Sequence, residues 1–295
     1  NPLVVHVASL EQVEGLVTSV PESARILMRA FWPGPLTLVL PVSPGVPREV
    51  TAGLNSVAIR MPGHAVALAL IKAAGTPLAA PSANLSGRPS PTTAAHVLRD
   101  LDGRIDMILD GGPAGVGVES TVLDLTGPVP TILRPGGVTL EALQEILGEV
   151  RVDPAVLNRS PGDNPIRPRS PGMKYTHYAP QAPLFLLQGT KEKVAEKIRE
   201  LALTYQLEHK RVGILAYRDS EDYTGYGQVV LVGHKEKPET VAAGLYAALR
   251  RFDDLDVDVI LAEGIQEKGV GLAVMNRLRR AAGGRIIDVD MDVNS

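Results

Sequence analysis

A proline-rich stretch at residues 151–180 separates two halves of the chain that each alternate between strand-like and helix-like segments. The stretch holds six prolines and shows no apolar period, and proline fixes φ and removes a backbone donor. Alternating strands and helices form a sheet packed by helices, so each half is expected to be an α/β unit. A chain of 295 residues accommodates two domains. We place them at 1–152 and 181–295, joined by a linker at 153–180.

The first half predicts a mixed sheet. Three strand-like pieces follow one another between residues 107 and 133 without a helix, which indicates an antiparallel part. The helix over residues 64–74 is rich in alanine and leucine and is expected to be mostly buried. The predicted strands are 3–7, 36–42, 57–61, 77–80, 107–109, 121–125 and 131–133, and the predicted helices are 22–30, 64–74, 92–101 and 140–147.

The second half predicts a parallel sheet with right-handed crossovers, because its strands and helices alternate regularly. Neither a G-x-G-x-x-G motif after its first strand nor a P-loop occurs, so this half carries no nucleotide-binding signal. The predicted strands are 184–187, 212–216, 229–232, 257–262 and 286–289, and the predicted helices are 191–207, 240–252 and 272–282.

The linker is either a tether or a lid over a site. Residues 170–180 are rich in aromatic and basic groups, whereas a passive tether is typically glycine- and serine-rich. We therefore favour a lid that includes Tyr175 and His177.

Composition excludes several functions. The chain has no cysteine, which rules out disulfides, thiolate metal sites and thiol catalysis. The net charge of −3 argues against a nucleic-acid footprint over the whole chain. No apolar run reaches the ~18 residues that span a bilayer, and no signal peptide is visible, so we expect a cytoplasmic protein without a membrane partner. Because the chain opens at Asn1, directly before a strand-like run, we also expect further residues upstream.

Polar residues collect in the run 81–91, where a strand ends and a helix begins. The run contains three serines, Asn84 and Arg88, and short hydroxyls beside backbone N–H groups suit an anion at a helix start. The alternative is a polar capping loop. In the strand-like segment around Val57-Ala58-Ile59, residues Ser56, Ala58 and Arg60 share one face by the period of two. A strand arginine that faces inward requires an anion, either a protein carboxylate or the carboxylate of a substrate.

Other candidates are less specific. His6 lies in an apolar strand and is either a core residue or a ligand-binding residue. The glycine-rich run 111–121 and Arg134 beside glycines both permit close approach of a charged ligand, although a flexible hairpin and an exposed arginine are the alternatives. Hydroxyls, arginines and backbone donors bind phosphates and carboxylates. These residues predict an anionic, nucleotide-like ligand in the first domain.

Five motifs together resemble the threonylcarbamoyl-AMP synthase family, which is related to YrdC. They are P-S-A-N-x-S-G at 81–87, S-V-A-I-R-M-P at 56–62, G-V-E-S-T-V-L-D at 117–124, L-R-P-G at 133–136 and S-P-G-M-K-Y-T-H-Y-A-P at 170–180. The linker motif and the second half, including Asn276-Arg277-Leu278, are similar to the long, two-domain form. The resemblance implies a YrdC-like twisted mixed sheet followed by a smaller Rossmann-like parallel α/β domain.

The resemblance also implies an activity. The family condenses L-threonine, bicarbonate and ATP, with magnesium, into L-threonylcarbamoyladenylate and diphosphate. A partner threonylcarbamoyl transferase then modifies adenosine 37 of tRNAs that read ANN codons, and a weak tRNA contact is left open. No residue is assigned to catalysis and none to metal binding. By resemblance, ATP is held by Asn1, Ser56, Ser82, Ser90, Arg134 and Ser170, and L-threonine by His6, Arg60, Ala80 and Ser120.

One departure from the family concerns the basic residues. The family places a Lys-x-Arg element and a Thr-Tyr segment shortly before N-P-L, which stands here at 1–3. Without them, we expect the chain as printed to bind substrate poorly or to be inactive. The rival functions are a non-enzymatic module that binds double-stranded RNA, and carbamoyl transfer of the kind seen in hydrogenase maturation.

Overall fold

The computed structural model describes residues 1–157, 169 and 178–290. Contacts divide these residues into two units, and each unit combines segments that are distant in sequence. Unit 1 comprises residues 1–82, 119–157 and 169, and unit 2 comprises residues 83–118 and 178–290. A segment from the middle of the first half, including the helix after the run 81–91, therefore packs with the second half of the chain.

Unit 1 contains a seven-stranded mixed sheet. The strands are β1 (Val4–His6), β2 (Leu36–Pro41), β3 (Ser56–Arg60), β4 (Leu78–Ala80), β5 (Thr121–Asp124), β6 (Thr131–Arg134) and β7 (Arg151–Val152). Their order in the sheet is β4-β1-β3-β2-β5-β6-β7, with antiparallel pairs β1–β4, β2–β3 and β5–β6 and parallel pairs elsewhere. The helices are α1 (Leu10–Glu14), α2 (Glu22–Phe31), α3 (Arg48–Thr51), α4 (Ala65–Ala74), α6 (Leu140–Leu147) and α7 (Pro154–Leu157).

The two faces of this sheet differ. One face packs against helices, with residues such as Val57 and Ile59 meeting Leu27 of α2 and Leu143 of α6 in one apolar cluster. The other face carries a small cluster built from strand residues alone, Val4, Val39, Ala58, Val122 and Leu133. These side chains are small, so this face offers a low apolar floor on which longer polar side chains stand. We call this side of the sheet the floor face.

The helix α4 contradicts the expected burial. Of its ten residues only Ile71 is buried, and Val66 and Leu70 are 40% and 47% exposed. An apolar helix is buried only where another element covers it, and its own composition does not reveal whether a cover exists.

Unit 2 contains a five-stranded parallel sheet. The strands are β8 (Leu184–Gln188), β9 (Val212–Ala216), β10 (Gln228–Leu231), β11 (Val259–Glu263) and β12 (Ile286–Asp288), and the helices are α5 (Ala94–Leu101), α8 (Lys191–Leu207), α9 (Pro238–Asp254) and α10 (Gly271–Ala282). The strand order is β10-β9-β11-β8-β12, with α8 packed on one face of the sheet and α9 and α10 on the other. The α/β prediction, with a mixed sheet followed by a parallel one, is confirmed.

The strand expected at 107–109 does not form. Met107 and Leu109 are 74% and 55% exposed, and no strand pairs with them in the described residues. Three apolar residues in a row become a strand only when an edge is available to hydrogen-bond with them. Four short elements, α1, α3, α7 and β7, were not expected because each spans five residues or fewer. Within the described ranges no helix combines the length and the apolar character needed to cross a membrane.

Candidate active site

Polar side chains stand on the floor face of the unit 1 sheet. His6 and Arg60 are register partners on the parallel strands β1 and β3, so their side chains lie next to each other. On the edge strand, Ala80 is opposite Val4, two residues before His6. The face therefore brings a histidine, an arginine and a small alanine together over the apolar floor, as three of the four threonine assignments require.

Arg60 is the strongest anion-binding candidate on this face. Its Nε donates to the carbonyl oxygen of Gly34 at 2.9 Å. Among the described residues, no carboxylate oxygen lies within 4.0 Å of its guanidinium. Burial, and then the nearby charge of Arg134, lower the pKa of Arg60 to about 10. The described chain thus offers no carboxylate as a partner for Arg60. The neighbouring positive charges of Arg60 and Arg134 favour an anionic ligand.

His6 is held neutral at physiological pH. Its pKa lies below the ordinary value, first because the half-buried ring is desolvated and second because Arg60 is close, while hydrogen bonds to the backbone of Leu78 and Val4 act in the opposite direction. A neutral imidazole has one donor and one acceptor nitrogen. His6 is thereby suited to a hydroxyl or an amine beside the anion that Arg60 favours.

Ser120 lies just before β5 and is fixed by two neighbours. Its hydroxyl is hydrogen-bonded to the buried hydroxyl of Thr37 at 2.7 Å, and Nη2 of Arg134 donates to its hydroxyl and carbonyl oxygens at 3.1 and 3.0 Å. A Cβ on Gly136 would lie 2.2 Å from the carbonyl oxygen of Glu119, so only glycine permits this close packing. The motifs at 117–124 and 133–136 therefore form one structural element.

Thr37 was missed by the sequence analysis. It is a fully buried polar residue on β2, two positions before Val39 of the floor cluster. The period of two along β2 could have placed its hydroxyl on the floor face, but only the fold brings it to Ser120, 83 positions away.

An acidic residue on the same face, Asp124, is already paired. Arg169 donates from Nη1 to Asp124 at 2.9 Å and from Nη2 to Asp153 at 2.6 Å. This arginine therefore neutralises Asp124, and the positive character around Arg60 is retained.

The remaining nucleotide assignments in the described chain belong to both units. Ser56 begins β3 opposite Pro41, and Asn1 and Ser82 are exposed in unit 1. Ser90 is buried in unit 2, directly after Pro89. The three linker residues Ser170, Tyr175 and His177 lie outside the described residues. All these assignments stay predictions, as do the proposed domain boundaries.

The described residues contain no group of three or more histidine, aspartate or glutamate side chains that could hold a metal ion. The donors near the candidate site are hydroxyls and arginines. They match the oxygens of an anion and are not a set of ligands for a cation.

Two family models match the chain, one described as telomere recombination over residues 1–136 and one as the threonylcarbamoyl-AMP synthase C-terminal domain over residues 138–283. The threonylcarbamoyl-AMP synthase of Bacillus subtilis is 53% identical over 97% of this chain and 81% of the relative. The chain belongs to the threonylcarbamoyl-AMP synthase family. The Pyrococcus abyssi synthase is 50% identical over 98% of this chain and 82% of its own length.

A solved structure agrees with the family assignment. The crystal structure of P. abyssi Sua5 complexed with L-threonine has a TM-score of 0.91 and 51% identity, and the match covers 98% of this chain and 82% of that one. Threonylcarbamoyl-AMP synthases are transferases that serve tRNA modification. The predicted family and the prediction of an enzyme over a non-enzymatic RNA-binding module are confirmed.

Proposed function

We propose that the floor face of unit 1 binds L-threonine, and that the chain joins it with bicarbonate and ATP into L-threonylcarbamoyladenylate. The observation that carries this proposal is Arg60, a desolvated cation beside Arg134 with no carboxylate partner in the described chain. The relative crystallised with L-threonine supports the choice of amino acid.

The threonine assignments come from the family resemblance, and the chemistry of each side chain supports them. A guanidinium binds a carboxylate through two parallel hydrogen bonds, so Arg60 takes the α-carboxylate of threonine. The neutral ring of His6 accepts from, or donates to, the amine or the hydroxyl. Ser120, oriented by Thr37, provides a further hydroxyl, and Ala80 leaves space for the methyl group.

ATP is assigned to the hydroxyls of Ser56, Ser82, Ser90 and Ser170, with Asn1 and Arg134, as the family resemblance implies. Magnesium commonly reaches such sites bound to substrate phosphates and water, with few protein ligands. The hydroxyls and arginines of this chain fit an ion carried by the triphosphate, which would balance the charge of the phosphates when bound.

The proposed reaction needs positioning and charge stabilisation more than covalent catalysis. The threonine amine and bicarbonate give a carbamate with loss of water. A carbamate oxygen then attacks the α-phosphorus of ATP, the bond to the bridging oxygen breaks, and diphosphate leaves with the electron pair. Arg60 holds the amino acid, and Arg134 faces the charge that develops on the phosphates. A partner transferase would consume the product in tRNA modification.

The test is diphosphate release from ATP by the full-length protein. We expect release only when threonine and bicarbonate are both present, and expect the adenylate as the second product by mass spectrometry. Release that continues without threonine would refute the proposal. A salt titration of RNA binding addresses the rival function, because steeply salt-dependent RNA binding without diphosphate release is the signature of an RNA-binding module.

A further inference from the structure

A buried arginine of unit 2 holds the loop that carries Ser90. Arg250 of α9 is 3% exposed, and its Nε and Nη2 both donate to the carbonyl oxygen of Pro89, at 3.1 and 2.7 Å. Ser90 is the next residue and is itself buried. The second half of the chain thus contacts the segment to which the family resemblance assigns ATP.

The same arginine forms a two-point ion pair with Asp100 of α5. Nη1 donates to Oδ1 at 3.1 Å and Nη2 to Oδ2 at 2.6 Å, and Asp100 is 4% exposed. The pKa of Asp100 is lowered, first by the hydrogen bond from Arg250 and in part by a hydrogen bond from the backbone of Leu85. One buried ion pair therefore fixes the end of loop 84–90, because Arg250 is hydrogen-bonded to the carbonyl oxygen of Pro89 and to Asp100 at the same time.

Further contacts keep loop 84–90 in one shape. Nδ2 of Asn84 donates to the carbonyl oxygens of Leu85 and Arg88, at 2.8 and 3.3 Å. The backbone N–H of Ala179 donates to the carbonyl oxygen of Gly87 at 3.0 Å. Arg88 is 3.8 Å from Asp253, which is three residues after Arg250 on α9.

We infer that Arg250 and Asp100 are positioning residues for the nucleotide, which act by fixing loop 84–90 and with it the hydroxyl of Ser90. The inference rests on the proposed function, because the role of Ser90 in ATP binding belongs to it. By this inference the second half of the chain contributes to nucleotide binding, although its sequence contains no nucleotide-binding motif.

The chemistry of a buried ion pair allows stability to be separated from positioning. Removing one partner leaves an uncompensated charge and destabilises the fold, whereas replacing both partners by apolar residues of similar volume is often neutral or stabilising. The double variant Asp100→Leu with Arg250→Met removes both contacts to loop 84–90 and leaves no buried charge behind. It should fold, and the loop should be free to move.

The experiment compares this double variant with the full-length wild-type protein in the diphosphate-release assay. We expect the KM for ATP to rise about tenfold, the KM for threonine to stay within about twofold, and the melting temperature to be preserved. The control is Arg99→Gln. Arg99 joins α5 to α9 through Asp254 at 2.6 Å at an exposed position, and we expect both KM values to be unchanged.

A folded double variant with an unchanged KM for ATP would overturn the inference, and so would an equal rise of both KM values. If the double variant fails to fold, Arg250→Lys decides. Lysine keeps the charge beside Asp100 but lacks the planar fork that reaches a carboxylate and a carbonyl together. We expect about a threefold rise in the KM for ATP, and no rise would refute positioning.

Failure of the proposed function is distinguishable from failure of this inference. If the wild-type protein releases no diphosphate in response to threonine, the proposed function is wrong. Calorimetric titration with ATP alone then measures whether the double variant has lost nucleotide affinity. Equal affinity in the two proteins contradicts the inference, and weaker affinity in the variant supports it.

Discussion

The buried Arg250 and Glu263 of unit 2 differ from the half-buried Arg60 of unit 1 in how their charge is balanced. In unit 2, Arg250 is paired with Asp100, and the 2% exposed carboxylate of Glu263 accepts from Ser220 and Tyr223 and forms an ion pair with Lys235. In unit 1, Arg60 stands beside another cation and has only a carbonyl oxygen as its hydrogen-bond acceptor in the described chain.

This difference separates charges that serve the fold from charges that serve a ligand. A paired buried charge has its desolvation offset inside the protein, and its removal affects stability. A desolvated charge that lacks a counter-ion is stabilised when a ligand supplies one, so its removal affects binding. Substitutions of Glu263 and of Arg60 separate these two roles.

The largest expected effect is on the stability of unit 2. Glu263→Ala leaves the hydroxyls of Ser220 and Tyr223 without their acceptor and Lys235 without its counter-ion, and should cost about 3–5 kcal/mol of unfolding free energy. Urea denaturation measures the loss. The KM values for threonine and ATP of the remaining folded protein should not change. A control, Asp258→Asn in the exposed ion pair with Arg211, should lose much less. If Glu263→Ala loses as little unfolding free energy as Asp258→Asn, the burial of Glu263 does not determine the size of the loss.

The opposite pattern is expected for Arg60→Met. The threonine kcat/KM should fall about 100-fold, which corresponds to ~3 kcal/mol and is the upper range for hydrogen bonds to a charged group. The unfolding free energy should be unchanged or higher, because a desolvated charge repelled by Arg134 is removed. Steady-state kinetics with each substrate varied, and urea denaturation of the same preparation, provide the two readouts. An equal loss for threonine and ATP, or a marked destabilisation, would contradict the assigned role.

The sequence predicts local structure well where chemical signals lie close together. The helices α6 and α8 begin and end at the expected residues, and each follows a threonine at the N-cap position, Thr139 and Thr190. The period of two along β3 also placed Arg60 on one face with Ser56. These features depend on neighbouring residues alone.

Long-range contacts were beyond the sequence. The pairing of Arg250 with Asp100 joins residues 150 positions apart, and both belong to unit 2. No sequence pattern around Arg250 or Asp100 indicates which residue each of them pairs with. The exposure of α4 was missed for the same reason, because tertiary neighbours decide burial.

A smaller effect should separate two buried threonines of the same sheet. Thr37→Val removes the hydroxyl bonded to Ser120, and the KM for threonine should rise about fivefold, or ~1 kcal/mol. The matched variant is Thr121→Val, whose hydroxyl is bonded to the carbonyl and the N–H of Val138. Thr121→Val should lower the unfolding free energy by ~1 kcal/mol and leave the KM values for threonine and ATP unchanged. Identical effects of the two substitutions would mean that Thr37 has no particular role at the site.

The smallest expected effect is on the pH dependence of stability. Burial and Arg60 lower the pKa of His6 in the folded state, so below pH ~6.5 the unfolded chain binds a proton that the folded chain does not. The unfolding free energy therefore falls as pH decreases from about 7 towards the lowered pKa, and His6→Gln should flatten that fall. Urea denaturation at several pH values measures the slope.

A second histidine provides the comparison between the units. The pKa of His96 in unit 2 is also lowered, by burial and then by Arg250 and Arg99, but the carboxylates of Asp100 and Asp254 raise it. Among the described residues no carboxylate raises the pKa of His6, so His6→Gln should flatten the slope more than His96→Gln does. Arg60→Met should also raise the pKa of His6 in an NMR titration, because one cause of its depression is removed. If the pKa of His6 does not change, His6 and Arg60 do not share one electrostatic environment. The site on the floor face would then include Arg60 but not His6.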